Sequence, residues 1–186
     1  MKKSQLFVLA CAAMVAISLR LVDRPMMNFS ALGAFAVLCG ATIRPHWFGL
    51  LAVLACRLVT DVALEMKTGY GFYSSMVFDY AAYAAMFTIG AWLRSKSVGR
   101  ITGGTVLSAV TFFVISNLGV WLMDHGGERL YPLTFDGLIE CYTKAVPFAK
   151  GTFFGDLLFS AVFFGGLHFA TGTSHASAVD VAAENP

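Results

Sequence analysis

The chain has 186 residues, 58% of them apolar and only 13% charged, with a net charge of +2 and a mean hydropathy of +0.71. A soluble globular domain carries roughly 25% charged residues. Composition therefore argues against a soluble enzyme, a disordered chain and a nucleic-acid binder, and so small a net charge implies no polyanionic partner. What remains is a polytopic membrane protein built as a single domain.

Six windows nearly free of charge, 6–22, 28–43, 47–64, 76–93, 101–123 and 151–170, can each cross a hydrocarbon core about 30 Å thick. Lipid offers the backbone no hydrogen-bond partners, so runs of this length are helices. Barrel strands would be about 9–11 residues long with strict alternation. The expected fold is all-α: a six-helix transmembrane bundle over 1–170, with a Ser-, Ala- and Thr-rich tail at 171–186 expected to be disordered.

The first window follows Lys2-Lys3. Its apolar stretch before Cys11 is about five residues, short of the roughly 7–15 of a signal peptide, and hydrophobicity runs on to Val22, so it reads as an uncleaved helix. Ala12 and Ala16 give it a small-xxx-small face that permits close helix approach, a spacing repeated by Ala52 and Cys56 and by Ala81 and Ala85. The second window is closed by Arg44-Pro45-His46.

Arg57 and Asp61 stand i, i+4 in the third window. Charges deep in a membrane helix cost at least about 2.5–3.5 kcal/mol each on insertion scales, so the two either neutralise one another or serve a site. Asp79 lies near the start of the fourth window, Asn117 within the fifth and Asp156 near the start of the sixth, where it can support a helix N-terminus. Between the last two windows, Pro132, Phe135, Leu138, Ile139, Tyr142 and Val146 have helical apolar spacing up to Pro147. This reads as a short amphipathic helix lying on the surface as a cap or gate.

Counting basic residues outside the windows' centres gives a tie between the two sides. Lys2-Lys3 beside the first helix and the dense Arg94–Arg100 segment tip it, placing both termini in the cytoplasm. The longest connections, 65–75 and 124–150, then lie outside, with aromatics such as Phe29, Tyr70, Tyr73, Trp121, Tyr131, Tyr142 and Phe148 near them. An interfacial aromatic belt accounts for any one of these; loop length and aromatic content together favour a capped, outward-facing pocket. Asp61, Asp79, Asn117 and Asp156 all fall in the outer half, as the floor of such a pocket.

No catalytic signature is present. His46, His125, His168 and His175 form no HExxH, no Gly-x-Ser-x-Gly elbow occurs, and Gly103-Gly104 is not followed by a phosphate-loop lysine. The four cysteines have no zinc-type spacing. Neither an enzyme nor a bound metal or cofactor is expected, and ATP-driven activity would need another subunit.

Several strings, taken in order, resemble an uncharacterised family of small six-helix bacterial membrane proteins. They are Asn28-Phe29-Ser30-Ala31-Leu32-Gly33-Ala34, Ser116-Asn117-Leu118-Gly119-Val120-Trp121, Tyr131-Pro132-Leu133-Thr134, Cys141-Tyr142, Pro147-Phe148 and Gly155-Asp156. That family in turn resembles the substrate-binding S components of energy-coupling factor (ECF) vitamin transporters. The resemblance implies the S-component fold in a bacterial cytoplasmic (inner) membrane. It also implies an outward-facing pocket for a vitamin or similar small molecule, with Asn28, Phe29, Arg57, Asp61, Asp79, Asn117, Trp121, Tyr131, Tyr142 and Asp156 as ligand-binding residues. Docking to an ECF coupling subunit and its ATPases would use the Ala12/Ala16 face. Arg57 departs from the serine that often precedes the aspartate in that family. Were the solute cobalamin, Cys56 could be a soft axial ligand. The alternative from another class is a non-transporting membrane scaffold for cell-envelope assembly, whose outer surface binds protein rather than solute.

Overall fold

A computed structural model of the chain describes residues 3–22, 27–93, 97–123 and 128–183, with side chains as far as 172. It contains helices α1 (Lys3–Leu21), α2 (Leu32–Thr42), α3 (His46–Thr68), α4 (Met76–Trp92), α5 (Val98–Leu122) and α6 (Phe135–Ala183). Five of them close a ring: α1 packs on α3, α3 on α4, α4 on α5, α5 on α6, and α6 back on α1. α2 touches all five and forms the axis of the bundle.

α2 owes that place to its composition. Leu-Gly-Ala-Phe-Ala-Val-Leu-Cys-Gly carries no charge and is buried throughout from Leu32 to Gly40, as a helix apolar on every side must be. Small residues then let neighbours reach its backbone. A Cβ on Gly40 would run into the backbone of Phe87 and Ala91, and one on Gly90 into Val37, so α2 and α4 touch main chain to main chain. The ends of α2 meet complementary charge: Asp156 accepts the Ala34 N–H at the start, and Arg44 donates to the Gly40 carbonyl at the end (3.0 Å).

The window 28–43 was expected to span. Its helix has only 11 residues, about 16 Å at 1.5 Å per residue, and is a core element rather than a lipid-facing span. Residues 28–31 precede it as irregular chain, with Asn28 in the left-handed region (φ 59°), which asparagine tolerates better than most residues. α1, α3, α5 and the Phe135–Gly172 stretch of α6 are long and apolar enough to cross a membrane; α4, with 17 residues, is shorter. Apolar side chains face outward as well as into the core, and several polar ones are buried among them. Phe7, Met14, Leu51, Val59, Val110 and Val162 are exposed, while Arg57, Asp61, Thr105, Asp156 and Ser160 are buried. An all-helical fold among the described residues, with four helices apolar enough to cross a membrane and an apolar exterior, has the character of a helical membrane protein.

Two further expectations change. The separate surface helix ending at Pro147 is instead the first part of α6, which continues through Pro147; membrane helices tolerate an interior proline because neighbours satisfy the freed backbone groups. It is held against α5 by Tyr142, whose hydroxyl donates to the Val114 carbonyl (2.7 Å), and by the Cys141 thiol on the Asn117 carbonyl (3.5 Å). It is therefore packed as a wall of the bundle rather than lying apart on the surface. Of the tail expected at 171–186, the backbone continues α6 to Ala183; the side chains from 173 and all of 184–186 lie outside the described residues. So do Asp23, Arg24, Pro25, Arg94, Ser95, Lys96, Asp124 and His125, which entered the reading of the loops.

Candidate functional site

A short axial helix inside a ring of longer helices leaves the axis empty at one end. That space is a cavity of about 370 Å³ above the N-terminus of α2, with walls from all six helices. Arg20 comes from the end of α1, Asn28 and Ser30 from the chain before α2, Arg57 and Leu64 from α3, and Asp79 and Tyr83 from the first turns of α4. Phe112, Asn117 and Val120 come from the last part of α5, and Phe148, Thr152 and Asp156 from α6. The lining runs from mid-helix positions such as Arg57 and Met86 to Asn28, Tyr73 and Val120, toward the end where the loop 69–75 lies. This is the side to which the sequence assigned the polar residues.

One wall is an ionic network. Asp61 is fully buried and accepts from three groups: Arg20 Nη2, Arg57 Nε at 2.8 Å and the Tyr80 hydroxyl at 2.9 Å. Arg57 reaches on through Nη2 to the Tyr73 hydroxyl (2.5 Å) and to Asp79 (3.3 Å). Its guanidinium lies over the rings of Tyr80 and Tyr83, at 5.7 and 5.5 Å. The i, i+4 pair thus forms, but as the centre of a four-charge chain from Arg20 to Asp79 rather than a closed couple. Thr60 receives the remaining Arg20 bond at 2.7 Å.

The loop after α3 brings Tyr73 to this network. Gly69 ends α3 in the left-handed region (φ 70°). Glu65 then accepts the N–H groups of Gly71 (2.8 Å) and Phe72 (3.2 Å), turning the loop back onto α3. The Tyr73 hydroxyl turns inward and donates to Asp79. Burial pushes that phenol above its ordinary pKa, partly opposed by Arg57, and so keeps it a donor.

The floor is Asp156. The expectation that it supports a helix N-terminus holds in altered form: it sits well inside α6, and the helix it supports is α2, through Oδ1 on the Ala34 N–H (3.1 Å). Oδ2 is buried with no hydrogen-bond partner among the described residues. Two close approaches set this geometry. The segment 27–30 lies against α6 at Gly151 and Gly155, where a Cβ would strike Met27 and Ser30 backbone. At Gly33 a Cβ would fall on the Asp156 carboxylate and Met86.

Of the residues singled out from sequence, Asn28, Arg57, Asp79, Asn117 and Asp156 line the cavity, and Asp61 stands behind it holding both arginines. Phe29, Trp121, Tyr131 and Tyr142 do not. Phe29 is buried against Phe154 and Phe159, and Trp121 Nε1 donates to the Pro132 carbonyl at 3.0 Å. Tyr131 faces Lys144, and Tyr142 ties α6 to α5. Ala12 and Ala16 are 1% and 0% exposed within the core, so the proposed docking face is internal packing. Cys56 packs beside that core and is not among the cavity residues, which removes it as an axial ligand. Tyr70, Tyr73 and Phe148, named among the aromatics near the outer connections though not as site residues, do line the cavity, whereas sequence reasoning missed Arg20, Tyr83, Phe112 and Phe113. Arg20 carried a signal, since it falls inside the apolar window 6–22 and not beyond it.

Residues 1–179 match a family of unknown function (DUF6580). No curated protein and no solved structure matches the chain.

Proposed function

The chain belongs to that family of unknown function, and with this as premise we propose that it is a membrane-embedded solute-binding protein, S-component-like, that takes up a vitamin-sized or smaller polar molecule. The observation that carries the reading is Asp156, which lines a cavity walled by all six helices and whose buried Oδ2 has no partner among the described residues. Buried polar atoms in native proteins are paired, and a bare one marks a place for water, an ion or a ligand. A scaffold has no use for such a cavity.

The volume of about 370 Å³ is at the small end of the roughly 300–1,000 Å³ of ligand pockets, which favours a compact solute over a corrin. The cavity end faces outward in this reading, with both termini in the cytoplasm of a bacterial cell. Arg20 supports that orientation: it is committed to Asp61 and does not count as a loop charge, so the basic excess lies with Lys2, Lys3, Arg44, Arg94, Lys96 and Arg100 on the opposite side. Coupling to an ECF subunit and ATPases would use a face other than Ala12 and Ala16.

Native mass spectrometry of protein extracted directly from its membrane tests the reading. A stoichiometric small-molecule adduct is expected, lost in Asn117→Ala and Asp156→Ala. A bare mass whatever the growth medium overturns solute binding and favours the scaffold.

A further inference from the structure

The charges around the cavity do not cancel. The guanidiniums of Arg20 and Arg57 are matched by the carboxylates of Asp61 and Asp79 through direct ion pairs. Asp156 also lines the cavity, is 2% exposed and has no cation beside it among the described residues. The positive end of α2 offsets part of its charge, but that contact engages Oδ1 alone. Oδ2 remains without a hydrogen-bond donor among the described residues. A carboxyl group held this way in a membrane interior is protonated, paired or functional, and a cationic donor would meet both its charge and its open oxygen.

We infer that the cavity takes a small cationic solute, an ammonium or protonated nitrogen heterocycle, whose N–H groups are drawn to the Asp156 carboxylate. This rests on the solute-binding reading above and narrows it to a chemical class. The rest of the cavity suits such a molecule. Phe112, Phe113 and Phe148 line it, and aromatic rings accept an apolar remainder and can attract a cation. Asn117 adds a polar side chain. An anionic solute would lie beside Asp156 without compensation, because Arg57 is directed to Asp61, Asp79 and Tyr73.

The test uses the full chain in lipid nanodiscs and three probes of nearly equal shape: benzylamine, protonated at neutral pH, its neutral counterpart benzyl alcohol, and anionic benzoate. Calorimetric titration is expected to show saturable benzylamine binding, with the other two about tenfold or more weaker, the size of a charge-assisted hydrogen bond. Asp156→Asn keeps an oxygen for the Ala34 N–H and is expected to bring benzylamine down to the affinity of benzyl alcohol. Should that variant misfold, selectivity among the probes on the unmodified protein still decides. Benzoate or benzyl alcohol binding as tightly as benzylamine overturns the inference, as does unchanged benzylamine affinity in a folded Asp156→Asn, or no binding of benzylamine at all. None of these outcomes touches the solute-binding reading, which stands or falls on the native-mass adduct; a neutral or anionic adduct would sustain that reading while refuting the cation.

Discussion

Where α2 ends, Gly40 and Gly90 bring two helices into backbone contact, and Leu38, Phe87, Phe163 and Leu167 fill the axis with apolar side chains. Where α2 begins, the same ring surrounds a cavity lined by Arg20, Arg57, Asp79, Asn117 and Asp156. The two halves share one set of ring helices and differ in whether the axial helix is present. Removing that helix from half of the axis creates both the space and the need for charged walls. It does so next to the helix N-terminus, whose field favours a carboxylate. One half is closed by contact and the other is held open by ion pairs.

That contrast can be broken at several points. The largest effect is expected from Asp61→Ala, which leaves Arg20 and Arg57 buried without their shared acceptor. A loss of about 3–5 kcal/mol would appear in thermal unfolding of the purified protein, and an unchanged transition would mean the network does not hold the open half. In the closed half, Gly90→Val adds atoms where Val37 backbone already sits and is expected to cost about 1–3 kcal/mol or more. Gly103→Ala, in open space on α5, should be neutral or stabilising by up to about 1 kcal/mol. Equal effects at the two glycines would refute backbone contact as the closing device. Ala12→Leu with Ala16→Leu should likewise lower the unfolding temperature, by overpacking of about 1–3 kcal/mol per site. Full stability combined with loss of a co-purifying subunit would restore these alanines as a docking face. The smallest expected change is Tyr142→Phe, about 0.6 kcal/mol for one interhelical hydrogen bond in a membrane. A much larger loss would mean that the start of α6 is secured chiefly there.

Parts of the cavity were readable from the chain itself. Arg57 and Asp61 announce themselves because charges are costly in an apolar window, and their spacing fixes a shared helix face. Asp79, Asn117 and Asp156 share one end because alternating helices bring those positions to the same side. Arg20 stands near a window's edge, where a basic residue reads as a loop charge, although its partners Thr60 and Asp61 lie on another helix. The aromatic choices fared worst. Trp121, Tyr131 and Tyr142 serve loop and helix docking, while Tyr83, Phe112 and Phe113 face the cavity, and nothing in residue type separates the two groups.

Hydropathy and backbone hydrogen bonding by themselves determined that the chain is helical and that its long helices are apolar enough to cross a membrane, and the alternation of helices showed at which end its polar side chains gather. Only the tertiary structure decided that α2 is the axis, that Pro147 lies inside a helix, and that Ala12 and Ala16 face inward. The reason is physical. A protein core and a lipid tail are equally apolar, so an apolar helix carries no mark of which one surrounds it. That is settled by the neighbours that can reach its backbone.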